Sequence, residues 1–240
     1  MCAIFGFIAQ HGRGPRLETI EEIAETNECR GPHAFGFAWI DSRGILRQYK
    51  QTGRLTDHLP LLAMLQDARM FIGHLRYATH GSPHNMINNH PHPVDGGWLV
   101  HNGIVRNDEE LIMDYDLLRV SECDSEVIGL LMEQGRGQLP TRTKAAINKT
   151  EGPLAMLALW NRPETMIAAR RGNPLHIAST SDGVYLATMG QALPGTCRAM
   201  ADNSLVELSI SRGKIQSEIY TLRAGRSASL FSSSGPYRGG

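Results

Sequence analysis

Apolar positions along the chain cluster in short runs. They occupy 3–9, 34–40, 70–73, 97–100, 154–160, 166–169, 175–178, 184–187, 205–210 and 215–220. Several hold β-branched or aromatic residues and stop at Gly, Pro, Asp or Asn, as strands do. The segments 165–169, 175–179 and 184–188 follow one another at hairpin spacing. Arg171-Gly172-Asn173-Pro174 and Thr180-Ser181-Asp182-Gly183 supply the turns between them. A helical period is rarer. Residues 17–28 place Ile20, Ile23 and Ala24 on one face among carboxylates. Asn107 reads as an N-cap before Asp108-Glu109-Glu110, three acids where a helix dipole favours them. Residues 125–134 carry the stripe Val127, Ile128, Leu130 and Leu131, and a weaker helix spans 141–149. Strands outnumber helices, so the pattern predicts an α+β or layered α/β protein with mainly antiparallel sheets.

Composition narrows this picture. The chain has 240 residues, 41% hydrophobic, enough for one sizeable core. Lys+Arg and Asp+Glu are 24 each and aromatics are 6%, which argues against nucleic acid or an anionic membrane as partner. No run reaches the roughly 18–20 apolar residues of a membrane span. The first apolar run lacks a basic lead-in, so a reducing cytoplasmic setting is expected. Cys2, Cys29, Cys123 and Cys197 form no Cys-x-x-Cys pair. From about residue 223 the chain turns Ser/Gly-rich, and 223–240 are expected to be a disordered tail after a domain spanning 2–222.

Candidate chemistry begins at Cys2. Once Met1 is trimmed, a thiol of pKa ~8.5 and an α-amine of pKa ~7.7–8.0 share one residue, a nucleophile beside a base. The plainer alternative is a small residue opening a buried strand. Residues 71–103 hold six of the ten histidines: His74, His80, His84, His90, His92 and His101. His90 and His92 with His80 or His84 suggest zinc, but Pro91 and Pro93 interrupt the segment and no adjacent acid or Cys completes a set. The expectation is therefore no metal and no cofactor, with histidines bonded to backbone. Arg76 at a strand end suits either a surface ion pair or a ligand carboxylate. Asn102-Gly103 reads as a hairpin turn or as a two-donor oxyanion hole. Asp124 reads as an N-cap or as the acceptor of a ligand ammonium. As a set, these residues describe a device for cleaving the side-chain amide of an amino acid, with glutamine the obvious substrate.

The segments Met1-Cys2-Ala3-Ile4-Phe5-Gly6, Arg76-Tyr77-Ala78-Thr79-His80-Gly81, Asn89-His90-Pro91-His92, His101-Asn102-Gly103-Ile104 and Asp124-Ser125-Glu126-Val127 resemble the motifs of class II glutamine amidotransferases. They are similar in particular to the glutaminase domain of glutamine:fructose-6-phosphate amidotransferase. The resemblance runs over about residues 2–190 and includes Ala169-Arg170-Arg171-Gly172-Asn173-Pro174-Leu175. It implies an N-terminal-nucleophile hydrolase fold of four layers, αββα, with two stacked antiparallel sheets. It implies Cys2 as nucleophile with its α-amine as base, and Asn102 and Gly103 as oxyanion donors. Arg76 would bind the glutamine α-carboxylate and Asp124 its α-amine. Thr79 and His80 would line the pocket, and Arg30 and Tyr77 would support Cys2. Two departures stand out. His33 occupies the place of an acid in the family's Arg-Gly-x-Asp-Ser-x-Gly segment, and Tyr77 stands where that relative has Trp.

The chain holds about one domain, so the ammonia acceptor is expected on a separate synthase subunit. Two other readings compete: a glutamine-binding regulatory module without turnover, and an N-terminal-nucleophile amidase for other amides. Arg76 and Asp124 favour a free amino acid over the latter.

Overall fold

The computed structural model of the protein describes residues 1–79 and 81–224. His80 and most of the Ser/Gly-rich tail lie outside the described residues. In chain order the strands are β1 (Ala3–Ala9), β2 (Ala34–Ile40), β3 (Leu46–Thr52), β4 (Met70–Arg76), β5 (His92–Val94), β6 (Gly97–Gly103) and β7 (Leu154–Asn161). They continue with β8 (Glu164–Arg171), β9 (His176–Ser179), β10 (Gly183–Ala187), β11 (Cys197–Ala199), β12 (Ser204–Ser211) and β13 (Lys214–Thr221). The α-helices are α1 (Leu17–Glu28), α2 (Asp108–Tyr115), α3 (Glu126–Gln134) and α4 (Leu139–Lys149).

The strands form two antiparallel sheets, ordered β11-β9-β10-β1-β4-β2-β3 and β13-β12-β8-β7-β6-β5. Their alternating side chains feed three apolar cores. Ile4 and Ile8 of β1 meet Val100 of β6 and Leu157 of β7 between the sheets. Phe5 and Phe7 point the other way, onto Ile20 and Ile23 of α1 and Leu55 and Leu62 of a 3-10 segment, Leu55–Leu65. On the far side, Met156 and Ala158 of β7 pack against Val127 and Ile128 of α3 and Ile147 of α4. The four-layer αββα architecture expected from the sequence is thus the observed one. It also explains the apolar runs, because all seven residues of β1, β2 and β4 are buried on both faces of their sheet.

Several local expectations differ from the structure. The strand ending at 73 continues to Arg76, and the one ending at 100 continues to Gly103. Asn102-Gly103 is therefore a strand end, paired with Ala155 and Leu154 of β7, and not a hairpin turn. β9 and β10 form the expected hairpin, but β8 pairs with β7 and β12 in the other sheet. Residues 171–174 are a crossing between sheets. It is fastened by the Arg171 guanidinium, which donates to the carbonyls of Ile147 and Gly152 and to Thr150 Oγ1. Asn107 precedes α2 without capping it. Its Nδ2 donates to the Lys149 carbonyl at 3.0 Å and its Oδ1 accepts the Glu151 N–H at 2.9 Å, tying α2 to the end of α4. No described helix is long and apolar enough to cross a membrane.

Candidate active site

Three strand ends meet at one edge of the sandwich. Cys2 leads into β1, whose Ala3 pairs with Leu75 of β4, so Arg76 and Tyr77 emerge beside Cys2. The opposing sheet is registered by His74 of β4, whose Nε2–H donates across the interface to the His101 carbonyl of β6 at 3.1 Å. That bond brings Asn102 and Gly103, the last residues of β6, to the same edge.

Cys2 is half-buried, and its sulfur accepts the Tyr77 N–H at 3.3 Å. The Arg30 Nε–H donates to the Cys2 carbonyl at 3.1 Å. Burial pushes the thiol pKa up above its ordinary value. The Tyr77 N–H, the Met1 ammonium and the Arg76 guanidinium act against it, and the Asp124 carboxylate adds to it. The thiol is thus kept protonated at neutrality and needs a base to become the nucleophile.

Arg76 is buried. Its guanidinium donates to Asn89 Oδ1 at 2.7 Å and to the Gly81 carbonyl at 3.1 Å, holding the loop between β4 and β5. Asn89 in turn donates from Nδ2 to the Pro83 carbonyl at 2.7 Å. Asp124 does not cap α3. Its Oδ2 accepts the Val105 N–H at 2.6 Å, just after β6, and its Oδ1 accepts from Ser125 Oγ at 3.4 Å. Ser125 Oγ lies 2.8 Å from His101 Nδ1, so Asp124, Ser125 and His101 form one chain of polar contacts. A cavity of about 660 Å³ opens beside these groups, lined by Gly81, Ile104, Arg106, Arg119, Glu122 and Asp124.

Asn102 is 1% exposed, and its Nδ2 has no hydrogen-bond partner. A buried, unspent amide donor is costly, about 1–3 kcal/mol, so it calls for a partner from outside the protein, a ligand or an ordered water. Its backbone carbonyl is held by Asn173 Nδ2 at 2.8 Å. At Gly103 a Cβ would lie 2.3 Å from the Pro153 carbonyl oxygen and 2.4 Å from His101 Nε2, so only glycine fits.

The structure therefore brings Cys2, Arg30, Arg76, Tyr77, Asn102, Gly103 and Asp124 to one edge. Thr79 is exposed in the loop after β4, and His80 lies outside the described residues. Asn173 acts at this edge although the sequence places it only in a turn and in the family-like 169–175 segment, with no site role. Its partner is 71 positions away, and no local signal announces such a bond.

No protein-family model matches the chain. The glutamine–fructose-6-phosphate aminotransferase of Thermotoga maritima is 35% identical over 194 residues, 77% of this chain and 31% of that protein. That of Yersinia pseudotuberculosis is 36% identical over 186 residues, 74% of this chain and 30% of that protein. The chain belongs to the class II glutamine amidotransferases. It spans about a third of the length of these curated relatives, 31% and 30%. Among solved structures, the B. subtilis glutamine phosphoribosylpyrophosphate amidotransferase shares the fold, with TM-score 0.76 over 94% of this chain and 50% of that one at 23% identity.

Within this amidotransferase fold the two departures sit together. His33 packs against Tyr77 with the rings tilted, centroids 4.8 Å apart, and its Nδ1 accepts the Ala78 N–H at 3.0 Å. A bond to a ring nitrogen thus steadies the backbone that presents the Tyr77 N–H to Cys2.

The no-metal expectation rested on the lack of a completing Cys or acid near His90 and His92. The fold supplies one: Cys123 comes to these two histidines, with ligand atoms all within 4.8 Å of one another.

Proposed function

We propose that this chain, through a domain of residues 2–222, hydrolyses the side-chain amide of L-glutamine to glutamate and ammonia through a thioester on Cys2. The observation that carries the proposal is the buried, unpartnered Nδ2 of Asn102 beside the side-chain-free Gly103, at the end of the strand that the His74–His101 bond ties to β4. Met1 is 70% exposed and open to trimming, which frees the Cys2 α-amine. That amine, through a water, takes the thiol proton that burial otherwise retains. The thiolate attacks the amide carbon, and negative charge collects on the former carbonyl oxygen, facing Asn102 Nδ2 and the Gly103 N–H. The C–N bond breaks as the ammonium returns its proton to the leaving ammonia. Water then cleaves the thioester and restores the thiol. Arg76 receives the α-carboxylate, Asp124 the α-ammonium, and Thr79 and His80 line the pocket. The ammonia passes to a separate synthase subunit.

Asn102→Ala should lower glutamine-dependent ammonia release by ~10²–10³ in kcat, the usual loss of one oxyanion donor. Full activity in that variant would overturn the assignment. A chain carrying an uncleavable N-terminal extension should be inactive, because its α-amine is consumed in a peptide bond. Activity in such a chain would instead point to a histidine base.

A further inference from the structure

We propose that His90, His92 and Cys123 form a binding site for a thiophilic divalent cation, Zn²⁺ foremost, buried behind the candidate active site. His90 precedes β5, His92 opens it, and Cys123 leads into α3. All three are buried, at 3%, 2% and 7% exposure, and one ligand atom from each lies within 4.8 Å of the others. Zinc at ~2.0–2.1 Å from nitrogen and ~2.3 Å from sulfur needs tetrahedral ligand atoms about 3.3–3.6 Å apart. A contraction of at most about 1.2–1.5 Å, within reach of side-chain rotation, closes the set.

A second observation is independent of that spacing. Both ring nitrogens of His90 and Nε2 of His92 are buried without a hydrogen-bond partner. His90 stacks on His74 at 3.9 Å and meets His92 edge-on at 4.5 Å. Stacking uses the faces of the rings and leaves their in-plane lone pairs unspent. A neutral imidazole always carries one bare lone pair, which either a hydrogen-bond donor or a cation takes, and among the described residues no donor reaches these nitrogens. Burial holds His90 well below its ordinary pKa and His92 at about 3, so both rings are in the ligating state at neutrality. Burial also raises Cys123 to about 12, so cation binding must displace its proton to solvent. The set contains no carboxylate, which disfavours Mg²⁺ and Ca²⁺. Charges of both signs surround it: Lys50 and Arg76 oppose a cation, while Asp124 and Glu126 favour one. Three protein ligands leave the fourth position of a tetrahedral ion to a small ligand such as water. A bound ion would staple β5 to the segment carrying Asp124 and so fix the carboxylate offered to the substrate ammonium.

The decisive experiment uses Co²⁺ as a coloured stand-in for zinc, on the full chain. A variant with Cys2→Ser, Cys29→Ser and Cys197→Ser keeps Cys123 as its sole thiol. It should bind one equivalent of Co²⁺, show thiolate-to-cobalt charge-transfer absorption, and lose that absorption when Zn²⁺ is added. In the otherwise unaltered chain, Cys123→Ser should weaken Zn²⁺ binding by more than ~10-fold, since even outer-shell changes at zinc sites reach that size. A triple variant that folds, by its circular dichroism, yet shows no thiolate band overturns the proposal. So does Zn²⁺ binding that survives Cys123→Ser unchanged. Neither result bears on glutamine cleavage, which is assayed separately.

Discussion

The carbonyl of Asn102 and the N–H of Gly103 belong to one peptide plane. Asn173 Nδ2 grips that carbonyl at 2.8 Å and so sets where the Gly103 N–H points. An oxyanion donor is effective only when aimed before charge develops, because reorganisation during reaction cancels its benefit. Asn173 is thus a positioning residue, acting through a peptide it does not share. Asn173→Ala should lower kcat for glutamine hydrolysis by about tenfold, below the ~10²–10³ expected for loss of a donor itself. KM should change little, because the glutamine carboxylate and ammonium contacts are untouched. An Asn173→Ala enzyme with normal kcat would show that the strand alone fixes the peptide. Substrate anchoring is a different term at this scale. Arg76→Lys replaces a planar fork that already holds Asn89 and Gly81 with a point charge. Its main effect should be a rise in KM, read from initial rates across glutamine concentration.

Strand ends carry the site, and glycines set how closely they approach. Gly31 follows α1, and a Cβ there would lie 2.1 Å from the Leu75 carbonyl oxygen of β4. That oxygen is backbone and cannot turn aside, so Gly31→Ala must push the Arg76-Tyr77 segment away from Cys2. Overpacking of this kind costs ~1–3 kcal/mol. The urea midpoint of Gly31→Ala should fall accordingly, and glutaminase activity should fall with it. A stable, fully active variant would mean that the segment tolerates displacement. At this scale much was legible in advance. The runs at 3–9 and 34–40 match β1 and β2 because burial on both faces leaves no polar interruption, and 17–28 matches α1 because one apolar face repeats. β3 escaped notice because, at the sheet edge, Leu46–Thr52 carries Arg47, Gln48, Lys50 and Gln51. The 3-10 segment Leu55–Leu65 was hidden by Pro60. The 171–174 crossing read as a hairpin because turn chemistry looks alike whether the chain returns to its own sheet or enters another. Cys2, Arg76, Asn102, Gly103 and Asp124 stood out as a set through their residue types. The bonds of Asp124 to Val105 and of Asn173 to Asn102 join distant segments and left no local trace.

For the molecule as a whole, the fold buries a row of histidines and holds them neutral. His74, His90, His92 and His101 are buried between or behind the sheets, and burial holds all four below the ordinary 6.5, His92 at about 3. The sign of the resulting pH dependence follows from proton counting. Below pH 6.5 the unfolded chain takes up protons at these positions while the folded chain does not. Stability is therefore fully present above 6.5 and is lost as pH falls towards the folded-state values. Each histidine contributes a slope of about 1.4 kcal/mol per pH unit across that window. Urea unfolding with a chelator present, to remove any bound cation, should show midpoints that are level above pH 7 and drop steeply between pH 6 and 5. His92→Gln removes one of the four groups and should shallow that drop by about a quarter of its slope, whatever its effect at pH 7.5. Midpoints that stay level to pH 5 would mean that the folded protein admits protons to this row, and that its unpartnered ring nitrogens are satisfied by charge rather than held neutral by burial.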